Sequence, residues 1–143
     1  MPPFIRHGDP VAATIDILTN YTPELEPYGV DNIAGDLTGW DKRKIWIQVS
    51  REGGLKVWPK ASKPRIDLDV YAPTSNDCAD IIDICEASIF RAQYQYRGYG
   101  IRLHKVIEEV GAIEAYDKNQ ETPRYFMSLR YTTTPDPGSM PTK

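Results

Sequence analysis

Cysteine and histidine are scarce in this chain of 143 residues, with two of each. Cys78 and Cys85 lie seven positions apart in a stretch that reads as helix. That spacing is a rise of roughly 10 Å, whereas a disulfide needs Cα atoms within about 7 Å. The two thiols therefore do not pair with each other. They are too few for a zinc site, and neither His7 nor His104 is near them in sequence, so both read as small core residues. A basic excess is also missing. The formal net charge is −3, which argues against binding nucleic acid through bulk charge. No apolar run approaches the roughly 20 residues that span a bilayer, and residues 1–7 carry no stretch of signal-peptide type. No membrane partner and synthesis in the cytosol are the expectations.

What is present is regular patterning. Asp9-Pro10 has the chemistry of a helix start: the carboxylate accepts orphan N–H groups and proline suits the first helical position. Val11, Ile15 and Leu18 then recur at helical spacing, and the helix should stop before Pro23. Residues 21–41, rich in Pro, Gly, Asp and Thr, read as a long surface loop with room for a short strand near residues 28–33. Three segments alternate with period two, as half-buried strands do: Ile45, Ile47, Val49; Ile66, Leu68, Val70; and Tyr125, Met127, Leu129, Tyr131. The first two form a wide hairpin, with Gly53-Gly54 ending the first strand and a tip over residues 52–63. Between residues 74 and 94 the period changes. Cys78, Ile82, Cys85, Ile89 and Ala92 make one helical stripe with Ile81 beside it, with Thr74, Ser75 or Asn76 as cap and Asp80, Asp83 and Arg91 facing away. Gly98 and Gly100 close that region. Residues 102–110 form a less regular strand with a turn or bulge near Gly111, and residues 116–123 a polar loop. The predicted architecture is α+β in the order α-β-β-α-β-β. Its sheet is mixed or mainly antiparallel, with four to five strands and two helices on one face. One domain should span residues 1–134, with a flexible tail over 135–143.

Candidates for chemistry are weak. Asp67 and Asp69 point to the same side of a strand, but no third ligand or nucleophile accompanies them, and a salt-bridged strand face explains them. Gly98-Tyr99-Gly100 follows a helix and precedes a strand, the reverse of a phosphate-binding loop, and reads as a helix stop. His104 lies on a strand with Glu108 too far along it to hydrogen-bond, and His7 stands in a flexible leader. No G-x-S-x-G or Cys–His pairing is found. Neither an enzyme nor a cofactor or metal is expected.

Two features point to protein surfaces. Between residues 41 and 65 the basic side chains are Lys42, Arg43, Lys44, Arg51, Lys56, Lys60, Lys63 and Arg65, against Asp41 and Glu52. Between residues 66 and 95 the acids are Asp67, Asp69, Asp77, Asp80, Asp83 and Glu86, against Arg91 alone. Such segregation suits head-to-tail contact between copies, with Lys44, Arg51 and Arg65 of one meeting Asp80, Asp83 and Glu86 of the next. Neutralisation within one copy explains it equally. The second feature is the polar face of the sheet, where Trp46, Tyr71 and Phe126 stand among charges as on a binding surface. Burial under the first helix or the long loop is the competing account. Trp58, flanked by Lys56 and Lys60 at the hairpin tip, is a further candidate anchor for a partner.

Several phrases together resemble a known group. They are the Asp9-Pro10 helix, the strand "IWIQVSREGG", the run "PRIDLDVYAPTSNDCADIIDICEASIFRAQ", and "IEAYDKNQETPRYFMSLRYTTT". Covering about residues 9–134, they resemble the tail terminator (tail completion) proteins of long non-contractile-tailed phages, particularly those of actinobacterial hosts. The loop at 21–41 departs from the compact members of that family. The resemblance implies a structural virion protein made in the host cytoplasm and located at the head–tail junction. It would form a homo-oligomeric ring, usually a hexamer, on the head-proximal end of the tail tube. Such a ring stops tube polymerisation, presents a surface to the head–tail connector protein and lets the genome pass without sequence-specific contact. The family has no catalytic residues and no fixed contact motif. A head-completion or adaptor protein of the same junction is the alternative. A small hydrolase and an antitoxin-like regulatory module are the other readings, and each lacks the site it would need.

Overall fold

The computed structural model describes residues 4–58, 60–117 and 122–141, with the side chains of Tyr116 and Asp117 excepted. Helix α1 is Pro10–Asn20 and helix α2 is Ser75–Ala92. The strands are β1 (Asn32–Ala34), β2 (Trp46–Val57), β3 (Ala61–Tyr71), β4 (Arg97–Gly98), β5 (Ile101–Asp117) and β6 (Thr122–Pro135). Short 3-10 turns occupy Pro23–Tyr28 and Pro137–Ser139. The strands form one curled sheet in the order β1-β2-β3-β6-β5-β4. Among the described residues, only β1 runs parallel to its neighbour.

The α+β class and the mainly antiparallel sheet agree with the expectation, but four to five strands and the order α-β-β-α-β-β do not. β1 and β4 add to the count, and each is too short to carry a period-two signal. β1 lies inside the loop at 21–41, where Ile33 pairs with Ile47 of β2.

Both helices start as their caps dictate. Asp9 Oδ1 accepts the Ala12 N–H at 3.0 Å, and Thr74 Oγ1 accepts that of Asp77 at 3.2 Å. The α2 stripe turns Cys78, Ile81, Ile82, Cys85 and Ile89 inward, and both thiols are free. Burial pushes Cys78 up to about 11 and Cys85 to about 12, so both stay neutral. α1 is rotated from the expected Val11–Ile15–Leu18 face: Ala13, Thr14, Ile17 and Leu18 are buried, with Val11 and Ile15 at the margin. The polar Thr14 is accommodated because its hydroxyl donates to Pro10 O at 2.7 Å and meets the buried Tyr131 hydroxyl at 2.8 Å. Against the helices stand Ile47 and Val49, then Ile66, Leu68 and Val70, then Met127, Leu129 and Tyr131, each under 1% exposed. That is the periodicity read from the sequence.

The glycines behave differently from the expectation. Gly53-Gly54 does not end β2. The register shifts between Arg51 and Gly54, and pairing then continues to Val57–Ala61. The two glycines form a bulge, and the wide hairpin tip contracts to a turn around residues 58–60, with Pro59 outside the described residues. Gly54 has φ +126°, and a Cβ there would lie 2.3 Å from Lys63 O and 2.6 Å from Pro64 Cα. Gly54→Ala is therefore expected to cost about 2 kcal/mol or more, against about 1 kcal/mol for Gly53→Ala, which has φ +71° and open space. Urea denaturation of the two variants checks the order.

Gly98-Tyr99-Gly100 is likewise not a helix stop, since α2 ends at Ala92 with Gln93 as its C-cap. Gly98 pairs with Ile101, and Tyr99 (φ +53°) and Gly100 (φ +82°) form the two-residue turn of the β4–β5 hairpin. Gly111 sits in a bulge of β5, between Val110 and Ile113.

The segment expected as a loose tail from Pro135 is tied down through Met140. The Asp136 N–H donates to Gly100 O, Arg97 pairs with the Asp136 carboxylate at 2.7 Å, and Gly100 N–H donates to Ser139 Oγ. His7 is likewise no leader residue; it is buried edge-on against the Trp58 ring, centroids 4.2 Å apart.

Candidate interaction surface

The sheet face opposite the helices holds the residues expected to bind a partner, and two of them are lost to the interior. Trp46 is 4% exposed and Tyr71 3%. The loop before β2 folds over them: Trp46 Nε1 donates to Asp36 O at 2.9 Å, and the Trp40 ring lies 5.1 Å from that of Tyr71. Trp46 and Tyr71 are therefore withdrawn as partner contacts; they are the internal floor of the long loop. Phe126 stays on this face, half-buried and in register with Asp69 and Ile113.

Charges line the same face in pairs. Arg65 holds Asp67 at 3.0 Å, Arg124 lies 3.4 Å from Asp69, and Arg130 binds Glu109. Burial raises the Asp69 pKa, Arg124 opposes this, and Asp67 adds to it. The two aspartates are thus a salt-bridged strand face. Among the described residues no group of three or more His, Cys, Asp or Glu is placed to hold a metal. His104 Nε2 is 2.8 Å from Thr134 Oγ1.

The expected ring contacts divide. Lys44 donates to Gly39 O of its own loop at 2.9 Å. Arg65 is on β3, an interior strand, and is held by Asp67, so it is withdrawn as an edge contact. Arg51 lies on β2, where Lys56 follows it. Asp80, Asp83 and Glu86 do not share one surface. At 100° per residue Asp80 and Glu86 lie about 120° apart around α2. Asp80 turns toward Tyr28, whose hydroxyl is 3.4 Å away, Glu86 turns toward Glu108 of β5, and Asp83 faces solvent.

The Glu86–Glu108 approach has an electrostatic consequence. Burial, then the hydrogen bond and charge of Glu108, then the charge of Asp83, raise Glu86 to about 7. A carboxyl raised from 4.5 binds more protons folded than unfolded between 4.5 and about 7, so this group's contribution to stability declines as pH rises through that window. His7, lowered mainly by desolvation and then by Lys56 and Arg51, acts in the opposite sense below 6.5. The difference between wild type and Glu86→Gln isolates the carboxyl. The variant is expected to gain thermal stability relative to wild type from pH 5 to pH 8, and an unchanged difference across that range would remove the raised pKa.

At the hairpin tip, Trp58 is 61% exposed, backed by His7 on one side and with the Lys56 ammonium 5.5 Å from its ring centre. Lys60 is also exposed. This supported but open aromatic keeps the geometry of an anchor. No protein family and no curated protein matches this chain.

Four apolar residues were not singled out from the sequence. Leu55, Val57, Ile107 and Ile113 are all exposed. Register places Leu55 opposite Lys63, Ile107 opposite Arg130 and Ile113 opposite Phe126, all on the face away from the helices. Their signal was alternation continuing past Gly54 in β2, and past Leu103 and then Val110 in β5. The bulges at those points shift the phase and hide it.

Proposed function

We propose that this chain is a structural protein of a phage tail, whose copies close into a ring on the head-proximal end of the tail tube. The ring stops tube polymerisation and carries the head–tail connector. The family reading comes from the sequence resemblance. The observation that supports it best is that the two long outer strands, β2 and β5, differ in the sign of their charge and carry exposed aliphatic residues, as suits a subunit that joins copies head to tail. Its action is steric, with no cofactor. Trp58, Lys56 and Lys60 are the axial contact to tube or connector, and copies of the chain are the lateral one.

Purified tube subunit polymerised with and without this protein provides the test. Short tubes bearing extra density at one end, seen by electron microscopy, are the expected outcome. Unlimited tubes without such density would refute capping, and density on a connector ring alone would move the protein to the head side. Trp58→Ala is expected to weaken capping at least about tenfold while the fold stability stays within about 0.5 kcal/mol. Unchanged capping by that variant would remove the tip from the contact.

A further inference from the structure

His7 breaks a rule that the rest of the interior keeps. Its ring is only 7% exposed, yet among the described residues neither Nδ1 nor Nε2 has a hydrogen-bond partner. Buried polar groups are nearly always paired, because an unmade bond costs about 1–3 kcal/mol. The ring is also held where it is. Gly8, at φ +80°, presses so closely on the β4–β5 turn that a Cβ there would lie 2.5 Å from Ile101 Cγ2 and 2.7 Å from Gly100 O. The Asp9 N–H donates to Tyr99 O at 3.0 Å. On its other side the imidazole abuts Trp58.

Cations gather around this ring. Arg51 and Lys56 of β2 are near enough to disfavour its protonation. Arg51 is in register with Ile66 and Lys56 with Ser62, so both stand on the helix side of the sheet. Arg51 Nε donates to Gly53 O at 3.3 Å, and the Lys56 ammonium lies beside the Trp58 ring. Among the described residues neither has a carboxylate within 4.0 Å; the ion pairs all belong to other arginines. The adjoining elements add Arg6 and Asp9 of the same segment and Tyr99 of the turn, which line one cleft with Arg51. They also add Glu52 and Lys60 of the hairpin, both exposed. Asp9 is committed to the cap of α1.

An unpartnered imidazole fixed beside two cations is the donor set of an anion receptor. A nucleic-acid backbone calls for a stripe of cations along its path. Here the cluster is confined to one end of one hairpin, on a chain of net charge −3. Leu55 and Val57, exposed on the other face of that hairpin, suit the apolar residues of a peptide.

We propose, taking the hairpin tip as the partner contact assigned above, that Arg51, Lys56 and His7 receive a carboxylate of an acidic peptide segment that packs beside Trp58, and that His7 takes up a proton as it binds. The two cations draw the carboxylate in. Trp58, open on its outer side, tilts, and a ring N–H of His7 donates to the carboxylate. The new negative charge cancels the repulsion from Arg51 and Lys56, so the imidazolium becomes the favoured form. By linkage, binding tightens as pH falls through the range of the bound imidazole.

The probe is an acetylated oligoglutamate peptide interrupted by a leucine, titrated into the full chain and followed by tryptophan fluorescence, with Trp58→Phe as the blank. Affinity is expected to rise about tenfold from pH 7.5 to pH 5.5, which is the effect of a one-unit rise in pKa on binding. In NMR of the wild type, the His7 imidazole is expected to titrate at higher pH with peptide than without; His7→Gln assigns the signal and should bind without that pH dependence. Arg51→Ala/Lys56→Ala is expected to weaken binding about tenfold or more. Lys42→Ala/Arg43→Ala removes the same charge elsewhere and should weaken it less than about threefold. Equal losses from the two double variants, or an imidazole that titrates alike with and without peptide, would overturn the receptor. An oligothymidylate that binds more tightly than the peptide would overturn its assignment to a protein partner. Peptide binding of the expected kind alongside unlimited tubes would keep the receptor and remove the capping reading, whereas capping without peptide binding would do the reverse.

Discussion

Trp46→Ala is expected to cost about 3–5 kcal/mol of folding stability, the range for removing a large buried aromatic. The side chain is almost fully enclosed, and its indole N–H holds the Asp36 carbonyl. Gly39 lies against its ring, with a Cβ position there only 3.9 Å from Cη2. Removing the ring leaves a cavity, an unpaired carbonyl and a loop with no floor. For a chain of this size the loss corresponds to a fall in Tm of about 10 °C. Trp58→Ala is the control. It removes a comparable ring from a site that is mostly open, so its melting point should hardly move. Calorimetry on both variants decides the assignment of the two tryptophans. A Trp46→Ala protein as stable as wild type would show that the loop does not rest on this ring and would restore Trp46 as a surface residue.

The same two tryptophans show what could be read in the sequence and what could not. Alternation located β2, β3 and β6 because Ile47, Val49, Ile66, Leu68, Val70, Met127, Leu129 and Tyr131 obey period two without interruption, and burial in one core is the cause of that period. The α2 stripe was legible for the same reason. Alternation also assigned Trp46 and Tyr71 correctly to the other face. It carried no information on what lies above that face, since the cover is a loop with no period of its own. Only tertiary folding brings Asp36, Gly39 and Trp40 onto it. β1 and β4, of three and two residues, fall below the length at which periodicity exists. Glycine was read as punctuation, yet Gly53-Gly54 bends a strand that continues, and Tyr99-Gly100 turns one strand into the next. Charge segregation was visible along the chain. Its partition among an interior strand, a helix flank and an open edge depends on strand order, which no local pattern encodes. Arg65 is the instructive case, basic by count and yet occupied by Asp67.

Leu68→Ala is expected to have the other large effect, a loss of about 3–5 kcal/mol, because of where β3 lies. β3 is held on both sides, by β2 and by β6, and Leu68 is paired in register with Val49 on one and Met127 on the other. Its side chain is completely enclosed. The cavity left by truncation is walled by backbone of three strands, which cannot move inward without breaking ladder bonds, so little relaxation is available to recover contacts. Asp69, the next residue and on the opposite face, should behave otherwise. Desolvation already raises its pKa, so Asp69→Asn removes a charge whose burial costs energy along with its attraction to Arg124. The two terms oppose, and the net change should be within about 1 kcal/mol. With a urea slope of about 2 kcal/mol/M, Leu68→Ala should lower the midpoint by roughly 2 M at unchanged slope, and Asp69→Asn by less than about 0.5 M. Equal shifts for the two variants would mean that the core does not lie on the Leu68 face of the strand, and the helices would then have to cover the other side.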